Sequence, residues 1–138
     1  MNTNFSILDS VGLQAQDNYC DLHNNFYLGV LTVVLKNKIV LLQFERSHDT
    51  GPSADVDRIV LKFVEVDYMQ VSSGVFSSMI RDIHEIGYKK PDDFDYNWLM
   101  SGTEINAEDH LVFRLTDDEI IRVHSFAANA TLIPRQRI

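Results

Sequence analysis

One cysteine, three prolines and one tryptophan in 138 residues exclude several common architectures at the outset. Cys20 has no partner for an intrachain disulfide, so nothing asks for an oxidising compartment. The longest apolar runs, such as Val30-Leu31-Thr32-Val33-Val34-Leu35, fall far short of the roughly 20 residues a membrane-spanning helix needs. The glycines (Gly12, Gly29, Gly51, Gly74, Gly87, Gly102) are too dispersed for a phosphate-cradling loop, and no G-x-S-x-G elbow is present. The opening Met1-Asn2-Thr3-Asn4-Phe5-Ser6 has neither a basic segment nor an apolar run behind it, so no secretory signal is expected. A cytoplasmic protein with no membrane partner is the resulting expectation.

Basic residues are also scarce, 12 Lys and Arg against 20 Asp and Glu, for a formal charge of −8. Without a basic stripe, nucleic acid is not an expected partner, because phosphate contact needs clustered Lys and Arg. The imbalance is local. Nine acids lie between Pro91 and Ile120 with Arg114 as the only base there, while the rest of the chain holds eleven of each. The nine are Asp92, Asp93, Asp95, Glu104, Glu108, Asp109, Asp117, Asp118 and Glu119. Like charges crowded together repel one another but attract a cationic partner and speed its arrival.

At 45% hydrophobic and 23% charged residues the composition is that of a globular protein. No repeat or long linker interrupts it, and residues 1–138 read as a single domain. Phe5, Leu8, Val11 and Leu13 fall in loose helical spacing over Phe5 to Gln16. Two apolar runs, Phe26 to Leu35 and Ile39 to Arg46, flank Lys36-Asn37-Lys38 and predict a hairpin, since Asn tolerates the left-handed backbone of a tight turn. Their near-continuous apolarity predicts strands covered on two faces, or central in a sheet. Ile59, Leu61 and Phe63 alternate, then the parity changes to Val64, Val66 and Tyr68, which predicts a bulge or sharp bend near Phe63-Val64. Val75, Met79, Ile83 and Ile86 predict an amphipathic helix from about Gly74 to Ile86, capped by Ser72 or Ser73 and stopped at Gly87. Leu111, Phe113 and Leu115, a turn at Thr116 to Glu119, and Ile121 and Val123 predict a second hairpin. A last strand is expected from Ala130 to Ile133. The fold class expected is α+β, a bent antiparallel sheet of five to seven strands packed on one or two short helices.

The sharpest local pattern is Asp93-x-Asp95-x-Asn97 with Ser101 and Glu104, which matches ligand offsets of an EF-hand calcium loop. Trp98 stands where that loop needs glycine, so an acidic surface loop is the plainer reading and no metal is assigned. The histidines occur as Asp21-x-His23, His48-Asp49, Asp82-x-His84-Glu85, Asp109-His110 and His124, none at a zinc spacing. Asp21 beside Cys20 disfavours a thiolate. Neither catalytic residue nor cofactor is assigned, and an enzyme is not expected. Trp98, with Tyr96 and Phe94, is either core or an anchor for a partner, since aromatics ringed by acids suit a basic surface.

The segment Leu22-His23-Asn24-Asn25-Phe26, the two apolar strands after it, and Arg58-Ile59-Val60-Leu61-Lys62-Phe63-Val64-Glu65-Val66-Asp67-Tyr68 resemble small bacterial immunity proteins of contact-dependent or polymorphic toxin systems. Asn24 and Asn25 stand where those proteins carry Asp and Ser, and no functional residue is carried over. The resemblance implies an immunity or antitoxin-type protein that occludes a basic toxin without turnover. Contact residues expected from the charge map are Asp92, Asp93, Asp95, Tyr96, Trp98, Glu104, Asp117, Asp118 and Glu119. The alternatives are an adaptor or oligomer-forming domain, and a small-ligand or calcium-binding β-rich domain.

Overall fold

A computed structural model describes residues 1–47, 51, 54–77 and 81–136, with the side chain of Arg81 left aside. The strands are β1 (Asn2–Thr3), β2 (Ser6–Leu8), β3 (Gly12–Ala15), β4 (Asn18–Asp21), β5 (Phe26–Val34), β6 (Ile39–Arg46), β7 (Val56–Val71), β8 (Arg81–Lys89), β9 (His110–Leu115) and β10 (Ile120–Pro134). The one α-helix among the described residues is α1 (Leu22–Asn25), whose N-cap Asp21 accepts from Asn24 N at 3.0 Å.

The expected sheet packed on helices is not what forms. The order β10-β7-β6-β5-β8-β9 returns to β10, closing a six-stranded antiparallel barrel, and 60% of the chain is strand. Period-two alternation drives the closure: Val40, Leu42 and Phe44 of β6, Ile59, Leu61 and Phe63 of β7, and Leu111, Phe113 and Leu115 of β9 are buried. Joining the last strand to the first removes sheet edges that would otherwise stay unpaired.

The second layer is the small sheet β2-β3-β4. Phe5, Ile7, Leu13, Cys20 and Leu22 belong to the same buried cluster as the barrel interior. The helix expected over Phe5 to Gln16 is therefore a hairpin. Its turns use Asp9-Ser10 and Gln16-Asp17, all four with positive φ. The first is a three-residue loop, Asp9 to Val11 between Leu8 and Gly12, and the second a two-residue turn of a kind that ordinarily calls for Asn-Gly or Asp-Gly, so neither carries that punctuation.

The helix expected from Gly74 to Ile86 is also absent where the chain is described. Ser73–Phe76 is a single 3₁₀ turn, and β8 already runs from Arg81. Met79 lies outside the described residues. Ser72 spends its hydroxyl on Ile120 N at 2.9 Å instead of capping the turn. Gly87 sits inside β8, where an added Cβ would come within 2.5 Å of Leu99 Cβ.

Both expected hairpins form, β5–β6 and β9–β10. In the first the left-handed residue is Lys38, not Asn37. Both strands are central in the sheet order, β6 between β7 and β5 and β5 between β6 and β8, but they are not covered on two faces: Val30, Val33 and Val34 are exposed and Leu35 is 85% exposed. The irregularity in β7 falls past Phe63-Val64. Glu65 has φ 52° and the register slips between the pairs His124↔Tyr68 and Ser125↔Val66, leaving Asp67 as the extra residue. The strand expected from Ala130 is the far end of β10.

The barrel's seam positions the site. β5 pairs with β8 only at Tyr27↔Asp82 and Leu28↔Arg81 among the described residues. Beyond that point the edge of β8 is covered by other chain: Ile86 N donates to Ser10 O at 2.7 Å, and Tyr88 exchanges two backbone hydrogen bonds with Met100 at 2.9 and 3.0 Å. Ser10 belongs to the small sheet's turn and Met100 to the acidic loop between β8 and β9. That loop is thus part of the closure of the barrel.

Candidate functional site

The near limb of the acidic loop, residues 90–98, takes most of its side-chain hydrogen bonds from one buried residue, with Lys89 and Arg114 adding contacts to Asp93 and Tyr96. Arg122 lies on β10 and is fully buried. Its Nε donates to His110 Nδ1 at 2.9 Å, Nη1 to Asp93 O at 2.6 Å and Tyr96 Oη at 3.0 Å, and Nη2 to Lys90 O at 2.9 Å and Pro91 O at 3.1 Å. A guanidinium has five N–H donors, and all five are used. None goes to a carboxylate. Burying an unpaired charge costs several kcal/mol unless its donors are satisfied, so the loop backbone and the cation stabilise each other. The faces of Phe94 and Tyr68 add cation–π contacts at 4.5 and 5.6 Å.

His110 completes the clamp from β9. Its ring lies 4.6 Å from that of Tyr68 and 5.2 Å from that of His124. Burial, then the Arg122 and His124 charges, lower its pKa from 6.5 to about 4, against the weaker pull of Asp67 and Asp109. His124 in turn contacts Asp67 Oδ1 through Nδ1 at 2.6 Å and Ala107 O through Nε2 at 2.9 Å.

The outer surface of the limb carries the aromatics. Trp98 is 50% exposed and Phe94 56% exposed, so neither is core. The indole lies over Lys89, whose buried Nζ is 3.2 Å from the ring centroid and 3.4 Å from Asp93 Oδ2. Asp93 Oδ1 accepts from Asp95 N at 2.9 Å, and Asp95 Oδ1 accepts from Asn97 N at 3.0 Å. These successive turns answer the calcium-like spacing of Asp93, Asp95 and Asn97: the carboxylates shape their own loop. The backbone bond from Asp95, ahead of the Lys89 ammonium, holds the Asp93 carboxyl below its ordinary range. Among the described residues no three His, Cys, Asp or Glu side chains are placed to hold a metal ion.

The expected contact residues are only partly brought together. Asp95, Tyr96 and Asp118 line one groove of about 280 Å³ with Phe94 and Arg114. Arg114 joins its walls, donating to Asp118 Oδ1 and Glu85 Oε2 at 3.1 Å and to Tyr96 O at 3.2 Å. Asp92 is exposed on the same limb, and Asp93 flanks Trp98 through Lys89. Asp117 is exposed in the β9–β10 turn with φ 63°, while Glu119 packs against Gly74. Glu104 sits apart, on the limb whose Gly102 lies against Ile7 of β2. Asp109, one of the nine acids, is internal: Oδ2 accepts from Asn106 N at 2.7 Å, and Oδ1 is 3.8 Å from Lys90 Nζ.

Sequence reasoning missed Arg122, Lys89 and His110 as the supports of this surface. The available signal was a lone arginine inside the apolar run Ile120-Ile121-Arg122-Val123.

A second concavity of about 790 Å³ opens beside the β5–β8 seam, lined by His23, Tyr27, Arg46, Asp82 and His84 among others. His84 is the extra residue of a bulge between the pairs Ile83↔Leu115 and Glu85↔Arg114. His23 Nδ1 is 2.7 Å from Ile83 O, and its ring meets that of His84 edge-on at 6.0 Å. His48 and Asp49 lie outside the described residues, and Cys20 is buried in β4. Comparison with protein-family models, with curated proteins and with solved structures finds no match to this chain. No helix among the described residues is long and apolar enough to cross a membrane.

Proposed function

We propose that this chain is a non-catalytic, acidic protein-binding domain of the immunity or antitoxin type, acting in the cytoplasm by stoichiometric occlusion of a basic partner. The observation that carries this reading is the clamp. Arg122 holds the backbone at Lys90, Pro91 and Asp93, so Phe94 and Trp98 stay half exposed among carboxylates without the ordering cost that a floppy loop would incur on binding. Exposed aromatics ringed by charge are the usual anatomy of a binding hot spot. The carboxylates speed encounter with a cationic surface and the aromatics set residence time.

The test is capture of a basic protein from the source organism, followed by association kinetics with that protein. Between low and high salt the association rate should fall by about tenfold or more, and Asp92→Asn with Asp95→Asn and Asp118→Asn should mimic high salt. Trp98→Ala should leave the association rate nearly unchanged and speed dissociation. Binding indifferent to salt and to all these substitutions would overturn the reading. The seam concavity, with His23 and His84 at its wall, favours a second reading as a small-ligand barrel. In that case ligand-induced shifts would cluster at His23 and His84 and leave Trp98 unmoved.

A further inference from the structure

We propose that His110 is a proton-operated latch for the acidic loop, protonation of its ring releasing residues 90–98 from Arg122 while the barrel stays folded.

The tautomer is dictated by its neighbour. Arg122 Nε can only donate, so His110 Nδ1 must present its lone pair across 2.9 Å, and the ring's single proton sits on Nε2. A second proton would go to Nδ1, the one nitrogen with a lone pair. It would point one N–H at another and set two cations against each other in a buried space. Nε is also the donor that aims the guanidinium, and the other four donors all go to the loop, at Lys90, Pro91, Asp93 and Tyr96. Losing the aim of Arg122 therefore frees the backbone at Lys90, Pro91 and Asp93, and the limb keeps only the longer contacts of Lys89 with Asp93 at 3.4 Å, Arg114 with Tyr96 O at 3.2 Å and Tyr96 Oη with Gln70 Oε1 at 3.3 Å.

The groups around the ring are mixed in sign. From β10, Arg122 and His124 oppose its protonation, and Lys89 faces it across the β8–β9 register. Asp67, on β7, and the neighbouring Asp109 favour protonation, while the Tyr68 ring lies tilted against that of His110 with centroids 4.6 Å apart. Lys90 and Asp93 lie on the loop that would be freed. The barrel does not need the bonds that the switch breaks: Arg122 pairs with Val112 and Val123 with Leu111 through backbone, and Met100, the loop residue that covers β8, lies outside residues 90–98. This latch does not depend on what the loop binds.

Trp98, the chain's only tryptophan, rides on the released segment and reports it directly. The experiment lowers the pH of the intact protein from 7 to 3.5, following histidine ring NMR signals, Trp98 emission and far-UV circular dichroism together. The expected result is a reversible red shift of Trp98 that tracks His110 protonation near pH 4, with the strand signal retained. In His110→Asn, whose side-chain oxygen can still accept from Arg122 but cannot be protonated, that step should vanish. Persistence of the step in His110→Asn would assign it to carboxylates and overturn the latch. So would His110 titrating with Trp98 unmoved, or Trp98 and the strand signal collapsing at one midpoint. Should His110→Asn fail to fold, the wild-type comparison of ring protonation with Trp98 emission still decides.

Discussion

Lys89 Nζ lies 3.2 Å from the centroid of the Trp98 ring, so a half-exposed indole roofs a fully buried ammonium. Asp93 is the only carboxylate bonded to that ammonium among the described residues. Much of the burial of Lys89 thus rests on an aromatic face. A double-mutant cycle of Lys89→Met and Trp98→Leu, read by urea unfolding, should give a coupling of about 1 to 2 kcal/mol. Additive effects would mean the ring shields Lys89 without attracting it.

Arg122→Met keeps the aliphatic stem and removes all five donors. It should destabilise the protein by about 2 to 4 kcal/mol, since His110 Nδ1, three loop carbonyls and Tyr96 Oη lose a partner. Hydrogen exchange should rise across residues 90–98 more than in β6 and β7. Uniform loosening of the barrel would contradict the clamp.

Stability should fall as the solution is acidified from about pH 6.5 to about pH 4. His110 is depressed in the folded state, so in that window the unfolded chain binds the extra proton and acidification pulls toward it. The contribution is fully present above the unfolded value and is gone below the folded one. A shift of this size is worth roughly 3 kcal/mol. Unfolding free energies at steps across the window should show this slope in the wild type and a shallower one in His110→Asn.

Gly87→Ala should cost about 2 kcal/mol or more, because the new Cβ would meet Leu99 Cβ at 2.5 Å and Met100 O at 2.9 Å. The loss should appear as a lower melting temperature with faster exchange at Tyr88 and Met100. A neutral substitution would mean that the far limb of the acidic loop does not press on β8.

The β5–β8 junction should be the first part of the barrel to open. Among the described residues two register pairs hold it, against thirteen between β7 and β10. Amides of Tyr27, Leu28 and Asp82 should exchange well before those of Leu61 and Ala130.

Much of the strand content was legible locally. Leu111, Phe113 and Leu115 alternate along β9 and all three are buried, although Val112 between them is buried as well. The helix expected from Gly74 to Ile86 failed because Ile83 and Ile86, three apart, also fit a strand with an extra residue, and His84 is that residue. From the sequence Trp98 reads as core or anchor. It is neither buried nor free, because its partner Lys89 was one more basic residue in the linear reading.

What the sequence determined by itself was the segregation of charge into one segment, the two hairpins with local turns, and the alternation that selects inward-facing side chains. Each depends on residues a few positions apart. The tertiary structure alone decided that the sheet closes on itself, that Met100 and Ser10 cover the edge left open at the seam, and that Arg122 lies beneath the acidic loop. Those features join residues such as Arg122 and Lys90, or Ile86 and Ser10, that are distant along the chain. A polar side chain inside a strand carries no mark of its burial until its hydrogen-bond acceptors arrive from elsewhere in the fold.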